Sequence, residues 1–288
     1  MKIFVAGAAG VIGRLLLPRL LQAGHEVIGM THRPERKPFI QAMGAKAVIV
    51  DAYERNDILA VIVEERPDVV IHQLTSLSNW DLEENARIRI EGTRNLVEAA
   101  KAANVSRFIA QSISWAYEPG DHPASEEVPL DVQAPLPRKS TIDGIVALEE
   151  AVAEVQSHVI LRYGMLYGPG TWYDKKGVMA EKALQRQVPA TDGITSFLHV
   201  EDAANAAMLA LEWPSGPVNI VDNEPAAGIQ WLPVYADALQ APSPEYQAKI
   251  DRGARGASNT KAINEYGWVP KYPTWRSGFA QSLRSRSY

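Results

Sequence analysis

Three glycines, Gly7, Gly10 and Gly13, stand three residues apart just after an apolar run at the start of the chain. Glycine at the first position permits the tight turn that follows a strand. At the second it lets backbone approach a phosphate, and at the third it lets a helix lie close to the strand. A helix opening at such a turn presents free N–H groups and the positive end of its dipole to an anion. Gly7, Ala9, Gly10, Val11, Ile12 and Gly13 therefore read as a cradle for the diphosphate of a dinucleotide. The end of the second strand bears on which one. An acid there would bind the ribose hydroxyls of NAD. The residues are instead Thr31, His32 and Arg33, with Arg36 and Lys37 close behind. A missing acid beside a guanidinium favours the 2′-phosphate of NADP over NAD.

Such a turn must be positioned by a sheet, and the apolar runs supply one. Ile3 to Ala6, Glu26 to Met30, Ala47 to Val50, Val69 to His72 and Phe108 to Gln111 read as strands, nearly continuous and β-branched, as in a parallel sheet covered on both faces. Helix candidates at 11–23, 35–43, 55–65 and 84–103 alternate with them, and Gly24, Gly44 and Pro67 stand at their ends. The pattern predicts an α/β fold, a Rossmann-like doubly wound parallel sheet. Residues 118–137 carry five prolines and many acids, the composition of a long surface loop. A helix at about 141–156 and a strand from Val159 to Arg162 follow. From Gly168 onward Gly, Pro and Trp become frequent and periodicity weakens. The expected organisation is a nucleotide-binding domain over 1–167, to which 197–212 returns through a helix, and a smaller C-terminal substrate-binding lobe over 168–288.

Composition narrows the function classes. The 288 residues can bury a sizeable core, and a 46% hydrophobic, 22% charged chain is ordinary for a globular protein. A net charge of -5 argues against nucleic acid as the main partner. No apolar run is long enough for a membrane span. The absence of cysteine excludes disulfides, thiolate metal sites and a thiol nucleophile, and suits a cytoplasmic protein. The six histidines show no metal-ligand spacing. A small-molecule substrate is the expected partner.

Across nearly its whole length the chain resembles the extended short-chain dehydrogenase/reductases, in their epimerase/dehydratase branch. The spacing Gly7-x-x-Gly10-x-x-Gly13 carries the resemblance, with Asp68-Val-Val-Ile-His72, Gly92-Thr93-x-Asn95-Leu96, Leu161-Arg162-Tyr163-Gly164-Met165-Leu166-Tyr167-Gly168-Pro169, Phe197-Leu198-His199 and Asn259-x-Lys261-Ala262. The resemblance implies that Asp51 and Ala52 lie by the adenine, and Gln73, Leu74 and Gln111 join them as cofactor-lining candidates. It also implies a Tyr-x-x-x-Lys pair with a nearby Ser or Thr hydroxyl. Here the chain departs from the pattern. With Glu149 as the acid that follows the Lys by four, the Lys position is Ile145 and the Tyr position Thr141. The hydroxyl position falls on Ile113, between Ser112 and Ser114, and no Tyr-x-x-x-Lys occurs in residues 112–160.

Hydride transfer requires cofactor and substrate at near-attack distance, and a proton source only if charge develops. Ser112, Ser114, Thr141 and Tyr163 are the candidate catalytic hydroxyls, with Tyr163 preferred as donor, and Tyr117 reads as structural. The loop Gly170 to Lys175 either lines a substrate pocket or serves packing. His72 reads as a hydrogen-bonded structural residue, His199 with Asp202 as a turn and helix cap, and Asp143 as a helix cap. The reading is an oxidoreductase that reduces a small, partly apolar carbonyl, imine or enone with a non-standard proton donor. Non-redox isomerisation, cyclisation or dehydration on the same fold, and a catalytically inactive nucleotide-sensing regulator, are the alternatives. The apolar helix at 141–156, with 84–103, is compatible with a homodimer interface and equally with packing on the sheet.

Overall fold

A computed structural model describes residues 1–76 and 82–284. In chain order its elements are β1 (Lys2–Ala6), α1 (Gly13–Gln22), β2 (Glu26–Thr31), α2 (Lys37–Ala42), β3 (Lys46–Ile49), α3 (Arg55–Glu65), β4 (Val69–His72), α4 (Leu82–Arg87), α5 (Thr93–Ala102), β5 (Arg107–Ile113), α6 (Arg138–Ala153) and β6 (His158–Tyr163). There follow β7 (Met165–Tyr167), α7 (Val178–Leu184), β8 (Ile194–Thr195), β9 (Phe197–His199), α8 (Val200–Leu209), β10 (Gly216–Ile220), β11 (Ala226–Ala227), α9 (Gly228–Leu239), α10 (Thr260–Asn264) and α11 (Trp275–Arg284).

A seven-stranded sheet runs β10-β6-β5-β4-β1-β2-β3. It is parallel at the pairings from β3 through β5. The order reverses between β1 and β4, the switch point at which a doubly wound sheet opens a crevice beyond its strand ends. Two alternating rows of side chains leave each strand. Phe4, Ala6, Val70, Phe108 and Ala110 form one core with Ile58, Ile62, Leu96, Val97, Leu148 and Val152 of α3, α5 and α6.

The helix expected over 84–103 is one run with a wide π turn, Ile88–Gly92, set between α4 and α5. The helix expected at 35–43 starts as a 3-10 turn, Pro34–Arg36, before α2. Pro38 lacks the N–H that a continuous α-helix starting at Pro34 would bond to the Pro34 carbonyl. Helix α6 begins three residues earlier than read, so Thr141 and Asp143 lie inside it. Ile142, Ile145, Leu148 and Val152 are fully or almost fully buried. Packing within the chain therefore accounts for the apolar character of that helix.

Two compact units result. The first comprises 1–112, 132–161 and 204–217, and the second 113–131, 162–203 and 218–288. Strands β5 and β6 each begin in the first unit and end in the second, as α8 does in reverse, and 204–217 belongs to the first unit. The second unit is organised around an aromatic core of Tyr167, Tyr173, Phe197, Trp231, Tyr235, Trp275 and Phe279.

Candidate functional site

The glycine turn is built to keep side chains out. Gly7 has φ +89°, a left-handed conformation, and a Cβ there would lie 2.8 Å from the carbonyl oxygen of Gln73. At Gly13 a Cβ would strike the carbonyls of Gly7 and Ala8, so only glycine lets α1 begin so close to β1. The Gly10 N–H closes the turn on the Gly7 carbonyl at 3.0 Å, and the Arg14 N–H bonds the Gly10 carbonyl at 3.1 Å. Ile12 is buried beneath the turn, whereas Ala9 and Val11 are half-buried and Gly10 is exposed. At the end of β2, Thr31 is buried and its Oγ1 accepts the Arg33 N–H at 3.1 Å. His32 and Arg33 are exposed, and Arg33 Nε donates to His32 Nε2 at 3.3 Å.

The Gly92-Thr93-x-Asn95 motif is the brace for this side of the unit. Asn95 Nδ2 donates to the Ala52 carbonyl at 2.8 Å, fixing the loop in which Asp51 Oδ1 accepts the Tyr53 N–H. Thr93 Oγ1 meets His72 Nε2 at 2.9 Å. His72 Nδ1 accepts the Leu74 N–H at 3.2 Å, so Nε2 carries the ring proton and donates it to Thr93. His72 is buried, and burial with Arg89 nearby lowers its pKa to about 4. It is a neutral structural residue that shapes the chain leaving β4. Gln73 is buried there too, and neither its Oε1 nor its Nε2 has a hydrogen-bond partner. Gln111, on β5, is half-buried. A tight turn without side chains at Gly7, Gly10 and Gly13, with an orphaned buried amide beside it, fits the diphosphate end of a dinucleotide.

The residues at the proton-transfer positions are arranged for packing. Thr141, Ile142 and Ile145 are buried on α6, which crosses α4 so closely that a Cβ on Gly144 would lie 3.2 Å from Ala86 Cα. Ser112 Oγ donates to the buried Glu149 carboxylate at 2.6 Å, tying β5 to α6. Asp143 does not cap a helix: α6 has already begun, and the exposed carboxylate pairs with Lys139 four residues back at 2.7 Å.

In the second unit Ser114 is buried and its N–H donates to the Tyr163 carbonyl at 2.9 Å. Tyr163 is buried and its hydroxyl donates to the Ala203 carbonyl at 3.2 Å, which commits the preferred proton donor to a backbone acceptor. Tyr117 sits in a buried network: its hydroxyl donates to Asn219 Oδ1 at 2.5 Å and accepts from Arg162 at 3.0 Å. The loop Gly170 to Lys175 is consumed by packing at its centre, since Tyr173 stacks on Phe279 and meets Phe197, Trp231 and Tyr235 edge-on. His199 Nδ1 accepts the Glu201 N–H, and Asp202 accepts the N–H groups of Lys271 and Tyr272. The first is the expected turn. The second is a brace to the distant 271–272 segment where a helix cap was expected.

One buried charged residue of this unit was missed in the sequence. Arg89, in the π turn, is buried to 5% exposure, and burial alone pushes its guanidinium down to about 10. An arginine between Ile88 and Ile90 reads as a solvated helix position. The signal lay in the row Asn85, Arg89, Thr93, Val97, which steps by four. A straight α-helix drifts off one face by about 40° per such step. The π turn reduces that drift, and all four residues are buried.

Among the described residues no group of His, Asp or Glu could hold a metal ion, and no helix is long and apolar enough to cross a membrane. The family model for the NAD dependent epimerase/dehydratase family matches residues 3–221. A Streptomyces protein named 3-diazoavenalumate denitrifying reductase is 39% identical over 98% of this chain and 100% of its own length. The 2-alkyl-3-oxoalkanoate reductase of Stenotrophomonas maltophilia is 28% identical over 74% of this chain and 66% of its own. The fold is that of the NAD complex of UDP-glucose 4-epimerase from Thermus thermophilus, with a TM-score of 0.76 at 24% identity, covering 98% of each chain.

Proposed function

Because the chain belongs to the NAD-dependent epimerase/dehydratase family, we propose that it is an NADPH-dependent reductase acting on a small aryl diazonium acid, in which hydride replaces the diazonium group and dinitrogen leaves. The observation that carries this reading is the contrast within the first unit: a glycine turn free of side chains, and buried Thr141 and Ile145 where a proton-transferring Tyr and Lys would stand. A carbonyl or enone accepts hydride with negative charge building on oxygen, and that charge requires a nearby proton. A diazonium does not. NADPH held by the glycine turn would supply a hydride for the ring carbon, and the C–N bond would break with its electron pair leaving on dinitrogen. The products are the arene, dinitrogen and oxidised cofactor, and no proton crosses the active site.

The name of the Streptomyces relative supports this substrate class, and its identity extends over the full chain. In this reading Gly7, Gly10 and Gly13 hold the diphosphate, Gln73 offers its orphaned amide to the cofactor, and Asp51 and Ala52 lie by the adenine. Arg33 meets the 2′-phosphate, a bidentate charge-assisted contact for which Thr31 and His32 leave no competing acid. The hydroxyls of Ser112, Tyr163 and Tyr117 stay in the structural bonds described above.

The test uses NADPH deuterated at the transferred position and 3-diazoavenalumate. Deuterium at the ring carbon vacated by nitrogen, one dinitrogen per NADPH oxidised, and no solvent hydrogen at that carbon are expected. Turnover of carbonyls or enones with no turnover of diazonium acids would overturn the substrate class. Arg33→Ala should weaken NADPH about tenfold and leave NADH unchanged; equal affinities in the unmodified protein would sink the NADP assignment alone.

A further inference from the structure

We propose that Arg89 is a buried anion receptor for the cofactor diphosphate, a charged partner to the glycine turn. Its placement follows from its neighbours. Four residues before it, Asn85 Oδ1 accepts the Ser76 N–H at 2.9 Å, and four residues after it, Thr93 accepts from His72 at 2.9 Å. Both neighbours on this helical row hold the segment 72–76, which leaves β4 at the carboxyl edge of the sheet. Arg89 lies between them on the same row, within electrostatic reach of His72. The same segment approaches the glycine turn, because the Gln73 carbonyl oxygen lies 2.8 Å from where a Cβ on Gly7 would be.

A guanidinium in such a place is normally satisfied by an acid or by carbonyls. Arg89 makes no hydrogen bond, ion pair or ring contact with any described residue. His72, whose pKa the Arg89 charge helps to lower, is kept neutral by its own bonds. An isolated buried charge is costly, because desolvation is not repaid by attraction. A second orphan at the same strand end points the same way, since both polar atoms of the Gln73 amide are buried without partners. A buried guanidinium and an unsatisfied amide beside a backbone cradle match a ligand with several acceptor oxygens and negative charge. A dinucleotide diphosphate has both, and the glycine turn places it at this edge. The inference rests on cofactor binding by the first unit and not on the identity of the reduced substrate.

The experiment compares the unmodified protein with Arg89→Met, Arg89→Gln and Arg89→Lys, using NADPH, ADP-ribose and adenosine as calorimetric probes and thermal unfolding of the cofactor-free protein. Removing the charge should weaken NADPH and ADP-ribose about 10- to 100-fold while leaving the weak adenosine affinity unchanged. Arg89→Lys should fall between. Arg89→Met should also raise the unfolding temperature of the cofactor-free protein, because it removes a buried charge without a partner. Unchanged ADP-ribose affinity in Arg89→Met and Arg89→Gln would overturn the assignment. A higher KM for a diazonium acid with unchanged ADP-ribose affinity would overturn it as well, by showing that the guanidinium serves the substrate's carboxylate. The ADP-ribose and unfolding outcomes are independent of whether diazonium reduction itself is observed.

Discussion

The glycine turn and helix α6 belong to the same unit and are built on opposite principles. Around the turn, side chains are missing and polar groups are left over: Gly7 and Gly13 admit no Cβ, and Gln73 and Arg89 are buried without hydrogen bonds to described residues. Along α6 nothing is left over. Thr141 and Ile145 are buried, Gly144 lies against Ala86, and Glu149 accepts a hydrogen bond from the Ser112 hydroxyl. Unsatisfied groups mark where a ligand is awaited, and satisfied ones mark where structure has taken over positions that could have done chemistry. The first region is prepared to bind, and the second to hold.

The largest expected effect comes from forcing the second region to resemble an acid–base site. Thr141→Tyr with Ile145→Lys writes the missing pair into the chain, but places a bulky phenol and an ammonium at buried positions. Loss of about 3–5 kcal/mol of stability is expected from the uncompensated charge, measured by chemical unfolding. Diazonium reduction by whatever folds should not be faster. A higher rate would break the contrast by showing that the reaction needs a proton after all. The complementary change fills the first region. Gly13→Ala drives a methyl into the carbonyls of Gly7 and Ala8. A cost of about 3 kcal/mol is expected, together with loss of cofactor binding by calorimetry. Retained binding would mean that α1 shifts freely, and the cradle is not the rigid element described.

These two regions also differ in how much of them the sequence disclosed. The turn was legible because glycine identity encodes backbone geometry, and the spacing 7, 10, 13 has few other uses. The missing Tyr and Lys were legible as an absence. What replaced them was not, since a hydroxyl such as Tyr163 looks the same in sequence whether it faces a substrate or the Ala203 carbonyl. Arg89 was hidden for a different reason. Its burial depends on one wide helical turn, and a π turn leaves no residue-type signature comparable to a proline or glycine. The division of the chain was partly hidden as well, because β5 and β6 pass from one unit into the other without any change in apolar character.

His72 offers a gentler probe of the first region. Its pKa is lowered to about 4 in the folded state, against about 6.5 when exposed. Below 6.5 the unfolded chain binds a proton that the folded chain refuses, so stability is complete above about pH 6.5 and falls as pH drops toward 4. The loss attributable to this ring is about 3 kcal/mol across that window. His72→Gln should flatten the dependence of unfolding free energy on pH between 4 and 6.5 relative to the unmodified protein. An unchanged slope would show that the ring is not held neutral, and with it the turn it makes to Leu74 and Thr93.

Ser112 gives the smallest effect and the sharpest separation of the two principles. Its hydroxyl could stabilise a substrate oxygen or hold the Glu149 carboxylate, and the 2.6 Å bond assigns it the second task. Ser112→Ala removes the donor and leaves a buried carboxylate short of a partner, which costs about 1–3 kcal/mol. If the bond is purely structural, that loss appears in unfolding free energy while kcat for hydride transfer changes less than about twofold, because the transition state loses nothing. If the hydroxyl serves the reaction, kcat and kcat/KM fall together and by more than the change in stability explains. Cysteine at the same position separates the remaining possibility, since it keeps the volume and loses most of the hydrogen-bond strength. Recovery of kcat by Ser112→Cys without recovery of stability would show that the volume at this position, and not its hydrogen bond to Glu149, serves the reaction.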